Sequence, residues 1–181
     1  MRALMALGFL DEKCGIDSNA SALRRSRTLH APRFAVLMRS SERPMNIFER
    51  DWHARPGASE GTVQQLVDTV SIELPAAYLA LLKLTNGGEG PLCRQPYHLQ
   101  LDSAETVLET AASERLTEFF PGFLIIGSNG GGEYIALDAR ESGALPVVAL
   151  DMTNADLKDT VLPIAENFDA FVELIGIAAT A

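Results

Sequence analysis

The stretch Phe123-Leu124-Ile125-Ile126-Gly127-Ser128-Asn129-Gly130-Gly131-Gly132-Glu133-Tyr134-Ile135-Ala136-Leu137-Asp138 decides how this chain folds. Phe123 to Ile126 is apolar at every position and rich in strand formers, the pattern of a buried central strand. Ser128 to Gly132 reads as a turn, because glycine supplies the positive φ values that side chains disfavour. Glu133 to Asp138 resumes a strand, with Tyr134 and Ala136 facing opposite to Ile135 and Leu137. The two strands predict a β-hairpin with a five-residue connection. Pro146 to Leu150 predicts a third strand.

Upstream, Val63, Leu66, Val67 and Val70 follow the spacing of an amphipathic helix. A second helix starts at Leu74-Pro75, where proline suits the first turn. Leu74, Tyr78, Leu81 and Leu82 share one face of it. Asn86-Gly87-Gly88 stops it, since Asn and Gly take the left-handed conformation readily. Gly90 to Leu101 reads as a loop followed by a strand at Tyr97–Leu101. Ser103 caps a helix running to about Phe120, and Pro121-Gly122 ends that helix. Pro163 opens a last helix, with Ile164, Phe168, Phe171, Val172 and Ile175 on one face. Helices do not alternate regularly with strands, so the fold class is α+β: a central, mostly antiparallel sheet with helices packed against it.

The charge is unevenly spread. Residues 1–44 hold eight Lys/Arg and four Asp/Glu, a net of +4, whereas residues 45–181 hold seven and twenty, a net of −13. This sets a boundary near residue 44. The basic leader reads as a disordered extension or as an upstream start, with Met45 opening the domain. Ala3 to Leu10 is apolar, but Asp11-Glu12-Lys13 stands where a secretory cleavage site needs small residues. The acidic domain repels nucleic acid and attracts basic proteins; solubility is the plainer use of the same charge. Cys14 and Cys93 form no close-spaced pair, which does not suit a disulfide scaffold and fits a reducing cytoplasm. No apolar run reaches the roughly 20 residues of a membrane span.

Catalytic chemistry finds no constellation. Gly127-Ser128-Asn129-Gly130-Gly131-Gly132 lacks the Gly-Lys-Ser/Thr ending of a phosphate loop, and Glu133 would crowd a phosphate. His30, His53 and His98 have no ligand spacing, and no nucleophile elbow occurs. The expectation is a protein with no catalytic, cofactor-binding or metal-binding residues. Trp52 and Tyr97 are candidate partner contacts, because aromatics anchor interfaces, with core or loop packing as the other role. Glu89, Asn129 and Glu133 complete the candidate contact set. Asn86, Gly87, Gly88, Gly127, Gly131 and Gly132 are assigned as structural turns.

Taken in order, Leu74-Pro75, Tyr78, Leu81-Leu82 and Asn86-Gly87-Gly88 resemble the opening signature of the SUKH superfamily, which includes the Smi/Knr cell-wall regulator. Phe123 to Gly127, Gly131-Gly132, Tyr134 to Asp138 and Pro146-Val147-Val148 resemble its central hairpin and following strand. Ile164 to Phe168 with Phe171-Val172 resembles its last helix. The resemblance covers roughly residues 60–176. It implies the α+β fold above and no shared catalytic constellation. It further implies a protein-binding role, either as an immunity protein neutralising a bacterial toxin, often a nuclease, or as a regulatory or scaffold module without a toxin. The basic leader departs from the pattern.

Overall fold

A computed structural model of the chain describes residues 47–153 and 161–180; the leader assigned to residues 1–44 lies outside them. Seven strands form one antiparallel sheet in chain order: β1 (His53–Ala54), β2 (Gly88–Pro91), β3 (His98–Leu101), β4 (Phe123–Ser128), β5 (Glu133–Asp138), β6 (Val147–Asp151) and β7 (Leu162–Ala165). Among the described residues five helices accompany it: α1 (Glu60–Thr69), α2 (Ala76–Leu84), α3 (Ala104–Ala111), α4 (Glu114–Phe119) and α5 (Phe168–Val172), after a 3-10 turn at Ile47–Glu49. This is the expected α+β class.

The alternation of side chains in β4 to β6 divides the core. Leu124, Ile126, Ile135, Leu137, Val147 and Ala149 face inward onto α1, α2, α3 and α5. Ile125, Ala136, Val148 and Leu150 face outward onto Leu116 and Phe120 at α4. The outer layer stops at β4. On β1 to β3 the outward residues His53, Glu89, His98 and Gln100 are exposed. One half of the sheet is therefore sandwiched and the other half has a bare outer face.

Helix starts follow local chemistry. Ser59 Oγ accepts the Thr62 amide at 3.1 Å and Ser103 Oγ accepts the Thr106 amide at 3.2 Å, satisfying donors left open at a helix N-terminus. Tyr78 meets Phe168 at 5.1 Å between ring centres, and Phe168 meets Phe171 at 5.5 Å, which joins α2 to α5.

Three expectations are corrected. The helix expected from Ser103 to Phe120 is two helices, because the backbone at Ser113 turns extended and its carbonyl caps a fresh start at Leu116 and Thr117. The helix expected from Pro163 begins only at Phe168. Asn167 Oδ1 accepts the Ala170 amide at 2.8 Å, and the preceding Leu162–Ala165 pairs with β6. Its apolar face was read correctly, since Ile164, Phe168, Phe171, Val172 and Ile175 are all buried. The loop expected from Gly90 contains half of β2. Its sequence Gly88-Glu89-Gly90-Pro91 carries no strand former, and the strand exists because Trp52 covers it. A Cβ on Gly88 would come 2.8 Å from the indole ring and one on Gly90 3.0 Å.

The glycine roles also shift. Gly88 keeps a left-handed backbone, φ 140°, but as the first residue of β2. Gly127 is no turn: it lies in β4, where a Cβ would stand 2.4 Å from the Gln100 carbonyl oxygen. Gly131 sits in the turn with only the Asn129 side chain near it, at 3.5 Å. Overpacking against backbone costs about 1–3 kcal/mol. Gly127→Ala is expected to lower stability in urea by about 2 kcal/mol, while Gly131→Ala stays within about 0.5 kcal/mol; equal effects would refute the close-approach role of Gly127.

Candidate functional site

The bare outer face is built by register. His53 pairs with Glu89, Glu89 with Gln100, and Gln100 with Ser128, so four polar side chains form a row across β1 to β4. His53 Nδ1 lies 3.8 Å from Glu89 Oε1. Gln100 Nε2 donates to Glu89 Oε2 at 3.4 Å, and Gln100 Oε1 accepts from Ser128 Oγ at 3.4 Å. The same row leads into the β4–β5 turn. There Asn129 Oδ1 accepts the amides of Gly131 and Glu133 at 2.7 and 3.0 Å, and Asn129 Nδ2 donates to Glu133 Oε2 at 2.6 Å. Glu89, Asn129 and Glu133, three candidates from the sequence, thus belong to one connected polar strip.

Tyr97 is half-exposed at the tip of the β2–β3 hairpin, with φ 65°. Because all strands are antiparallel, that tip and the β4–β5 turn stand at the same end of the sheet. Trp52 is elsewhere. It is 7% exposed and lies under β2 in the main core, so its candidacy as a contact is withdrawn: its ring is spent covering glycines. Asn86 is more than a turn residue. Its Oδ1 accepts the Ala104 amide at 2.7 Å and its Nδ2 donates to Glu105 Oε2 at 2.8 Å, which ties the end of α2 to the start of α3.

The strip is bordered by two concavities. One, of about 410 Å³, is lined by Arg115, Leu116, Phe119, Phe120, Tyr134 and Met152 between α4 and the outer face. Phe119 is 48% exposed at its rim. The other, of about 190 Å³, lies between β2, β3 and the start of α3, with Arg55, Glu89, Gln100, Asp102, Ser103 and Thr106 in its wall. Burial pushes the Asp102 carboxyl above its ordinary value, and the Arg55 guanidinium opposes that. Its carboxylate accepts no hydrogen bond among the described residues. Behind it, the Tyr78 hydroxyl is fully buried and has no hydrogen-bond partner there either. Burial, then the Asp102 charge, hold that hydroxyl well above its usual range.

Sequence reasoning missed Gln100, Asp102 and the aromatic rim. The alternation in His98-Leu99-Gln100-Leu101 carries the signal for Gln100, since buried leucines force Gln100 outward. Nothing in the sequence marks Asp102, whose burial comes from elements far apart in the chain.

The surface holds carboxylates, amides, hydroxyls and aromatic rims. Among the described residues, no group of three or more His, Cys, Asp or Glu is placed to hold a metal ion, and no helix is long and apolar enough to cross a membrane.

Comparison with protein families supplies the relationship. The model of the SMI1 / KNR4 family (SUKH-1) matches residues 57–174. The chain belongs to this family. The match spans α1 to α5 and includes the polar strip from Glu89 to Glu133. A search of curated proteins finds no match.

Asp102 yields a pH prediction. Its folded-state value is raised, so its contribution to stability is present below the ordinary value of 3.8 and is lost as pH rises through the folded value. At pH 7 the charge is a burden on the fold. Asp102→Asn is expected to melt at the same temperature as the parent or higher at about pH 7, and the gap should close below about pH 3.9. A variant melting several degrees lower at neutral pH would contradict this.

Proposed function

We propose that this member of the SMI1 / KNR4 family is a non-enzymatic protein-binding domain, and that it acts as an immunity protein which binds and neutralises a cognate bacterial toxin with a basic surface, such as a nuclease domain. The observation that carries the reading is the uncovered, acid-bearing outer face of β1 to β3. Folding would ordinarily cover such a face or leave it evenly polar. Here it offers Glu89 beside Gln100, in a row that runs on into the β4–β5 turn, where Asn129 holds Glu133, next to an exposed aromatic rim.

The charge supports it further. Three of the seven Lys/Arg of residues 45–181 are tied to groups within the chain. Arg50 donates to the carbonyls of Val172 and Ile175. Arg140 binds Asp138 through Nε and Nη2 at 2.9 and 2.7 Å. Lys83 lies 3.9 Å from Glu60. What faces outward is a negative surplus, which would steer a basic domain into contact and compete with the polyanion a nuclease cleaves. The cytoplasm is the compartment this reading assigns, with no membrane or nucleic acid bound directly.

Co-expression with a toxin encoded beside this gene tests it. The expected result is cell survival and a stable complex on a sizing column. Association should slow at least about tenfold for the double variant Glu89→Lys, Glu133→Lys and weaken between about 0.05 and 0.5 M salt, as exposed charges are screened. Survival no better than with an empty vector, together with no complex, rejects the immunity reading.

A further inference from the structure

Cys93 stands just past the end of β2 and is buried in the main core. Its amide donates to the Leu174 carbonyl at 3.2 Å, and the neighbouring Leu92 bridges Ile175. Cys93 is disulfide-bonded. The chain contains one other cysteine, Cys14, in the basic leader. Spacing of this kind builds no close-spaced framework, but it leaves a single long-range link open.

The start of the described chain leans on the same segment as Cys93. Arg50 Nη1 donates to the carbonyls of Val172 and Ile175 at 2.6 and 3.0 Å, and the Asp51 amide donates to the Gly176 carbonyl at 3.1 Å. The leader therefore joins the domain at the stretch that holds Cys93. Between Cys14 and Ile47 runs a connection of about 30 residues, which spans roughly 30 Å as a coil and about 45 Å as a helix. Either reach is ample for two points that share one segment. Opposite net charges, +4 on residues 1–44 and −13 on residues 45–181, draw the two parts together.

We propose that Cys14 is the disulfide partner of Cys93, and that this bond is a thiol-controlled tether between the basic leader and the acidic domain. Cytoplasmic disulfides are usually transient and redox-sensing, so the tether closes by exchange with a small-molecule disulfide such as glutathione disulfide. One cysteine thiolate attacks a glutathione sulfur and one glutathione thiolate leaves. The second cysteine thiolate then displaces the other glutathione. Two protein thiols and one glutathione disulfide become one protein disulfide and two glutathione thiols. Closed, the bond keeps Arg24, Arg25, Arg27, Arg33 and Arg39 close to the acidic domain; open, it releases them.

The test uses the full chain in native buffer. It is incubated with glutathione disulfide, quenched in acid, unfolded, treated with N-ethylmaleimide and digested with trypsin. The expected product takes no maleimide, and peptides 14–24 and 84–94 appear as one species that separates on reduction. Its yield should not change between about 1 and 50 μM protein, because the reaction is within one chain. Excess reduced glutathione should restore both thiols, and Cys14→Ser should abolish the joined species while leaving Cys93 open to a glutathione or maleimide adduct. Two maleimides on the oxidised chain, Cys93 joined to Cys93 of a second copy, glutathione adducts on both cysteines as the final product, or a link that forms only in denaturant would each overturn the tether. The inference concerns the leader and does not rest on the immunity reading: a failed linkage removes the tether and leaves that reading to its survival assay.

Discussion

The two halves of the sheet are joined at one narrow seam, and the rest of the structure depends on it. β3 meets β4 through only two register pairs, Gln100 with Ser128 and Leu101 with Gly127. At that seam the Gln100 carbonyl presses so closely on Gly127 that no side chain fits. The register of β4 slips between Ile125 and Gly127, as strands do when a bulge re-aims side chains. On one side of the seam lies the sandwiched hairpin β4–β5 with β6. On the other lies the thin flap β1 to β3, held from beneath by Trp52, Leu99 and Leu101. The polar strip crosses the seam without a break because Gln100 pairs directly with Ser128.

This division separates stability from binding. Apolar burial is the main source of stability, and it concentrates on the inner face, where four helices close over both halves. The outer face of the flap contributes little to folding and is free to carry charge. Asp102 lies where the two demands meet. It weighs on the fold, because burial disfavours its charged form. The seven Lys/Arg of residues 45–181 stand against twenty Asp/Glu, and three of the cations are tied within the chain: Arg50 to two carbonyls, Arg140 to Asp138 and Lys83 to Glu60.

Much of the fold was legible because it rests on local rules. The hairpin from Phe123 to Asp138, the helices over Val63–Leu66 and Tyr78–Leu82, and the caps at Ser103 and Pro121-Gly122 all follow from periodicity and turn chemistry within a few residues. The inward face of the last segment was legible too, though its conformation was not. Ile164 belongs to β7 and Phe168 to α5, and an apolar pattern alone does not separate a short strand followed by a helix from one helix. β2 was illegible for a different reason: Gly88-Glu89-Gly90-Pro91 has no strand propensity and pairs only because an indole ring thirty-odd residues earlier lies across it. Of the candidate contacts, Glu89, Asn129 and Glu133 came together, Tyr97 stands at the same end, and Trp52 went to the core.

By itself the chain determined its class, its central hairpin, its family resemblance and its acidic balance, since these depend on residue type, spacing and count. Only the tertiary structure decided which face of the sheet remains bare, that Trp52 is buried, and that Asp102 shares a pocket with Glu89. Those outcomes depend on contacts between segments far apart in sequence, and such contacts leave no periodic trace in any one of them.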